Sequence, residues 1–219
     1  MTHRLKIAGW VMMMLFASLF ALASLRYFVL EPKMAIPQPL GGRFAAHLLT
    51  LLFHVSGGAL ALVLGALGFL TSLREKRPAL HRRFGRLYLL AVLTGGTVGL
   101  VMSGRSYGGL PTHFGFGLLA LLWLTTGAAA YRQIRRHDIA AHREWMIRNY
   151  ALTFSAVTLR FWLALFLILR CPFSEAYTTV AWLCWVPNLL IAELIIGHGK
   201  SQAPRLSANK SRPLTGLKI

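Results

Sequence analysis

Four histidines carry the chemistry that this sequence is equipped to do. His54, His81, His113 and His142 each fall at the edge of an apolar segment, and neighbouring ones are separated by roughly one membrane span. A neutral imidazole is the side chain most often used to hold a metal ion or a heme iron. The spacing sets His54 and His113 at one face of a bilayer and His81 and His142 at the other. A b-type heme between two such imidazoles needs small residues beside its ring and basic groups for its propionates. Gly57, Gly58, Gly65, Gly68, Gly95, Gly96 and Gly99 supply the first. Arg82, Arg83, Arg86, Arg143 and Arg148 supply the second near His81 and His142. The predicted ligand pairs are therefore His81 with His142 and His54 with His113. Taken singly, an interfacial histidine is equally a snorkelling or capping residue, and a His-Arg pair is equally topological charge.

Positioning such pairs requires a bundle of spanning helices, and composition points to one. The chain has 219 residues, 56% hydrophobic and only 14% charged, more apolar sequence than one globular core buries. Mean hydropathy is +0.56. The formal charge of +18 would suggest nucleic acid in a soluble chain, but the basic residues cluster between apolar runs. There they act as topology determinants and lipid anchors, and no nucleic-acid partner is expected. Cys171 and Cys184 make neither a disulfide framework nor a zinc spacing.

Six helices are predicted, at about 8–30, 44–73, 78–103, 112–131, 139–169 and 176–196, in one all-α membrane domain over 1–199. The first also resembles a secretory signal with Ala21-Leu22-Ala23 as a cleavage site, but Tyr27 to Leu30 continue the apolar stretch and favour an uncleaved helix. Pro78 suits the first turn of the third helix, and Asp138 is the predicted N-cap of the fifth. Residues 200–219 read as a disordered basic tail. Eighteen of the 24 Lys and Arg fall on one side if both termini are cytoplasmic. That asymmetry predicts a multi-pass protein of the plasma (inner) membrane with both ends inside.

The middle of the chain repeats. His54-Val-Ser-Gly-Gly-Ala-Leu-Ala-Leu matches His113-Phe-Gly-Phe-Gly-Leu-Leu-Ala-Leu-Leu, and His81-Arg-Arg-Phe-Gly-Arg-Leu-Tyr88 matches His142-Arg-Glu-Trp-Met-Ile-Arg-Asn-Tyr150, one residue longer. A two-helix unit repeated in one orientation implies an axis along the membrane normal. Helices 2 and 3 then repeat as 4 and 5 in a central four-helix unit, with 2 diagonal to 4 and 3 diagonal to 5. Like histidines face like.

Two ionisable residues lie within apolar runs, Arg160 and Glu193, at a cost of roughly 2.5 to 3.5 kcal/mol each on insertion scales. Arg160 is a candidate partner for a propionate or a substrate anion, and equally a buried cation bound to backbone carbonyls. Glu193 with Asn188 could line a proton or quinone path, although snorkelling of Glu193 is the simpler account. His47, seven residues before His54 on the same helical face, is a rival outer ligand or a surface residue. His3, His137 and His198 sit in polar stretches.

Specific motifs also carry a family likeness. His81 to Tyr88, His142 to Thr153, Ala156 to Arg160, and Trp185-Val-Pro-Asn-Leu189 with Glu193 resemble the bacterial predicted membrane proteins grouped as the domain of unknown function 2306 family. The likeness covers about 53–193 and implies a membrane location without an assigned reaction. Its pattern includes His54, His81 and His142 but not clearly His113. In architecture alone the chain is similar to diheme cytochromes of the b-561 type, six-helix carriers with bis-histidine hemes in the central four. The expected function is therefore a transmembrane electron carrier with heme b, a redox partner or quinone, and a homo-oligomer left open. The alternative is a cofactor-free transporter or structural subunit using Arg160, Asn188 and Glu193.

Overall fold

The computed structural model describes residues 3–35, 40 and 47–210. Among the described residues the chain is helical, with no strand. The helices are α1 (His3–Ala23), α2 (Arg26–Val29), α3 (Pro32–Ala35), α4 (Leu48–Gly68), α5 (Thr71–Lys76), α6 (Pro78–Ser103), α7 (Leu110–Arg135), α8 (Ile139–Thr153), α9 (Ser155–Ile168), α10 (Phe173–Leu183) and α11 (Val186–Lys210). They make six stretches long and apolar enough to cross a membrane: Ile7–Val29, Leu48–Gly68, Pro78–Ser103, Leu110–Arg135, Ile139–Ile168 and Phe173–Ser201. Rows such as Leu87, Leu90 and Leu93 or Ile191, Leu194 and Ile195 stay exposed, as side chains facing lipid would.

Short connections make successive spans antiparallel. Around the centre α4 packs on α6, α6 on α7, α7 on α8, and α8 closes the ring against α4. Span 2 is thus diagonal to span 4, and span 3 to span 5, as the repeat predicts. Span 1 lies against α4 and reaches α9, α10 lies against α7 and α9, and α11 lies against α8. Two glycines set the closest approaches. A Cβ on Gly57 would lie 2.8 Å from the Ala91 carbonyl and the Gly95 nitrogen of α6. One on Gly65 would collide with the rings of Tyr88 and Tyr150.

Several boundaries differ from the sequence reading. The second span ends at Gly68, after which α5 forms a separate short helix along the surface. Its expected start near 44 lies outside the described residues. The fourth span extends at both ends, to Leu110 and Arg135. The last helix runs to Lys210, past the expected start of the tail at 200. There Lys200 Nζ meets Glu144 Oε2 at 2.9 Å, a tie to α8 that holds a further turn beyond the apolar stretch. Residues 211–219 of the predicted tail lie outside the described residues.

Pro78 does open α6, and the Asp138 side chain caps α8 by accepting from the Ala141 amide at 2.9 Å. The exposed Arg74, Lys76, Arg77, Arg82, Arg83, Arg86, Arg132, Arg135, Arg136 and Arg143 gather at one end of the bundle, referred to below as the basic face.

Two spans break. The fifth divides at Phe154 and the sixth at Cys184 and Trp185, where Pro187 sits in the first turn of α11 and donates no amide hydrogen. The breaks lie side by side and are tied together. Asn188 Nδ2 donates to the carbonyls of Ala151 and Cys184 at 3.2 and 3.0 Å, and to Thr158 Oγ1 at 3.0 Å. The Thr158 hydroxyl in turn donates to the Cys184 carbonyl. Carbonyls loosened by a break need such partners where no water reaches them. Past its break, α9 no longer lies along α4 and packs instead on α10 and α1.

Candidate functional site

Divergence of α9 from α4 leaves a cavity of about 300 Å³ in the half of the bundle away from the basic face. His54 and Gly58 of α4, Gly95, Gly96 and Gly99 of α6, Phe116 and Trp123 of α7, Arg160 of α9 and Tyr177 of α10 all contribute to its wall. Ser24, Arg26 and Tyr27 of the first span complete it. The glycines are a requirement of shape: the His54 ring lies against Gly99, where a Cβ would be 2.9 Å from its Cε1. At Gly58 a Cβ would meet nothing within 4 Å, so this residue borders open space.

Two polar members of this wall, His54 and Arg160, are constrained by backbone carbonyls. His54 Nδ1 is 2.8 Å from the Gly95 carbonyl, an acceptor only, so Nδ1 carries the hydrogen and donates it. In the neutral ring, Nε2 then holds the bare lone pair. Arg160 Nη1 donates to the Ala156 carbonyl one turn back, and its guanidinium lies 5.8 Å from the Phe20 ring centroid. Of the guanidinium's four further N–H groups, one is directed at the Tyr27 hydroxyl of the first span and the others remain. His54 and Arg160 are close enough for each to sense the other's charge.

Beneath the cavity a buried polar network closes the bundle. Tyr88 Oη donates to Asn149 Oδ1 at 2.6 Å and meets Thr153 Oγ1 at 2.9 Å. Asn149 Nδ2 donates to the Trp123 carbonyl at 2.6 Å and to Thr126 Oγ1 at 2.7 Å, and Trp123 Nε1 donates to Thr153 Oγ1 at 2.8 Å. Tyr150 Oη donates to the Leu62 carbonyl of α4 at 3.0 Å. All four central spans are thereby joined, with Asn149 fully buried and Tyr88 1% exposed. Trp123 and Thr153 belong both to this network and to the cavity wall.

Two turns nearer the basic face lie His81 and His142. His81 is seven residues from Tyr88 on α6 and His142 seven from Asn149 on α8, so each histidine shares a helical face with a member of the network. The two are within electrostatic range of one another. His142 Nδ1 is 2.8 Å from the Ala130 carbonyl, which fixes its tautomer as the Gly95 carbonyl fixes that of His54. His81 Nδ1 is buried with no hydrogen-bond partner. The neutral His142 ring therefore keeps Nε2 unprotonated, while the His81 ring has an orphaned Nδ1.

The opposite pair is not assembled in this way. His113 Nε2 is 3.1 Å from the Ser106 carbonyl, in the turn before its own helix, and His113 is absent from the cavity wall. His54 therefore shares its cavity with Arg160 rather than with a second imidazole. His47 is exposed at the N-cap of α4.

Among the arginines assigned to propionates, Arg148 is already engaged. Its Nε and Nη2 donate to Glu193 at 2.6 and 2.9 Å, it stacks over Trp145 at 4.8 Å, and Glu144 lies 3.9 Å away. Glu193 is thus the counter-ion of Arg148, and Asn188 holds the two helix breaks. Arg160, Asn188 and Glu193 have separate partners and do not form one polar site. Arg82, Arg86 and Arg143 are exposed on the basic face beside His81 and His142.

Sequence reading gave no site role to Tyr88, Asn149, Thr153, Thr126 or Trp123. The signal was the seven-residue spacing. Aligning the repeat on tyrosine, Tyr88 with Tyr150, hid that Tyr88 faces Asn149.

A family model described as predicted membrane protein (DUF2306) matches residues 51–196, and the chain belongs to that family. No curated protein and no solved structure matches the chain.

Proposed function

We propose that this member of the predicted membrane protein family is a transmembrane electron carrier holding heme b between His81 and His142, with the basic face toward the cytoplasm of the plasma membrane. The observation that carries the reading is the buried, unpartnered Nδ1 of His81 beside a His142 whose Nδ1 is committed to the Ala130 carbonyl. A buried polar atom without a partner costs roughly 1 to 3 kcal/mol and is retained where something else satisfies it. Bound heme supplies one-electron exchange.

The protein's own groups orient and insulate. Ala130 sets the His142 ring and its tautomer. Arg82, Arg86 and Arg143 place positive charge at the rim for propionates and for an acidic redox partner, while the Tyr88 and Asn149 network excludes water on the far side. The second heme expected between His54 and His113 is not carried forward, because His113 does not face the cavity.

Full-length protein expressed with ample heme and purified in detergent is expected to show a reduced-minus-oxidised spectrum with Soret and alpha bands. His81→Ala and His142→Ala should each lose them, while His113→Ala keeps them. A spectrum without bands, or bands that survive in both His81→Ala and His142→Ala, removes the proposal.

A further inference from the structure

The cavity around His54 and Arg160 presents these two side chains among several polar groups, Tyr27 and Thr153 included, and they constrain what it can hold. His54 Nε2 presents a lone pair and no hydrogen, because the ring's hydrogen goes to Gly95. The Arg160 guanidinium only donates. A carboxylate would satisfy Arg160 but oppose the imidazole lone pair. A ketone or ether would also accept from Arg160 and leave His54 without a donor. A hydroxyl meets both demands, as a donor to His54 and an acceptor from Arg160.

The remaining wall selects the frame that carries this hydroxyl. Gly58 opens onto space, and Trp123, which packs over Gly95 and Gly96, joins Phe116 and Tyr177 in offering aromatic surfaces. A volume of about 300 Å³ is at the small end of ligand pockets and suits a single ring. Because α9 diverges from α4, the side between them is lined by Tyr27 and Ser24 of the first span, the loosely buried element past which an alkyl tail would leave.

We infer that this cavity binds a membrane-soluble aromatic alcohol, a phenol or quinol head with an apolar tail, through His54 as acceptor and Arg160 as donor. The inference stands on the cavity and does not rest on heme at His81 and His142.

Redox-silent probes test it directly. Full-length protein in lipid nanodiscs is titrated with octylphenol, with octylanisole (the same ring with its hydroxyl methylated) and with octanoate, each corrected for partition into protein-free nanodiscs of the same lipid. Saturable octylphenol binding is expected, with octylanisole weaker by at least about tenfold for loss of one buried hydrogen bond. His54→Leu should erase that preference. Gly58→Leu should fill the open space and abolish saturable binding while the thermal unfolding temperature is kept, which separates blocking from misfolding. No saturable octylphenol binding would overturn the inference, as would equal binding of octylanisole. Octanoate bound as tightly as octylphenol would replace the hydroxyl by an anion. Binding indifferent to Gly58→Leu would place the ligand elsewhere on the protein.

Discussion

The half of the bundle nearer the basic face and the half beyond it are made from the same four spans, yet one is closed and the other hollow. In the first, α8 lies against α4, Tyr88 and Tyr150 pack over Gly65, and donors and acceptors meet in a continuous network. In the second, α9 has turned away at Phe154 and a cavity stands where the two helices would have touched. The difference teaches that the cavity is a property of helix direction, since the glycines that allow close approach occur in both halves. A break held by Asn188 and Thr158 changes a packed bundle into a container.

Neighbouring residues offer the sharpest way to break that comparison, because Gly57 faces backbone and Gly58 faces space. Gly57→Ala is expected to have the largest effect, pushing α4 from α6 at a cost of about 1 to 3 kcal/mol for overpacking, seen as a lower unfolding temperature in detergent. Asn149→Leu comes next. It removes three bonds between spans, at about 0.6 kcal/mol each on average, so a loss of about 2 kcal/mol is expected in reversible denaturation.

Glu193→Gln weakens the ion pair with Arg148, which is 48% exposed on the glutamate side. Screening should hold the loss to about 1 kcal/mol or less, and added salt should shrink it further. Gly58→Ala should shift stability least, by under about 1 kcal/mol and in the stabilising direction, as alanine replaces glycine inside a helix without a clash. Equal effects at Gly57 and Gly58 would mean that Gly58 faces packed atoms and not the open space of the hollow half.

Much of the fold was legible in the sequence. Apolar length gave six spans, Pro78 and Asp138 marked two helix starts, and the repeat placed spans 3 and 5 on a diagonal. Those features depend on composition along one helix. The features that escaped depend on how two helices are rotated against each other, which hydropathy does not specify. His54 could be placed in depth, but not against the Gly95 carbonyl. Glu193 could be recognised as costly, but its partner Arg148 lies 45 residues away on a helix whose rotation was unknown. The break at Phe154 has neither proline nor glycine to announce it, and only Thr158, whose hydroxyl bonds to the carbonyls of Phe154 and Ser155, hinted at a bend.

The first span has a mode of attachment that the other five do not share. Trp10 Nε1 donates to the Ala66 carbonyl at 3.0 Å near one end, and from Ile7 to Val29 only Ala17 and Ser24 are buried. Energetically it is a tethered peptide resting on a finished bundle, kept in place by the high effective concentration that its linker imposes. Such an element can be supplied in trans. Residues 47–219 and a separate peptide carrying the first span are expected to reassemble in one bilayer, and the concentration of peptide needed would measure how firmly the cavity's last wall is held.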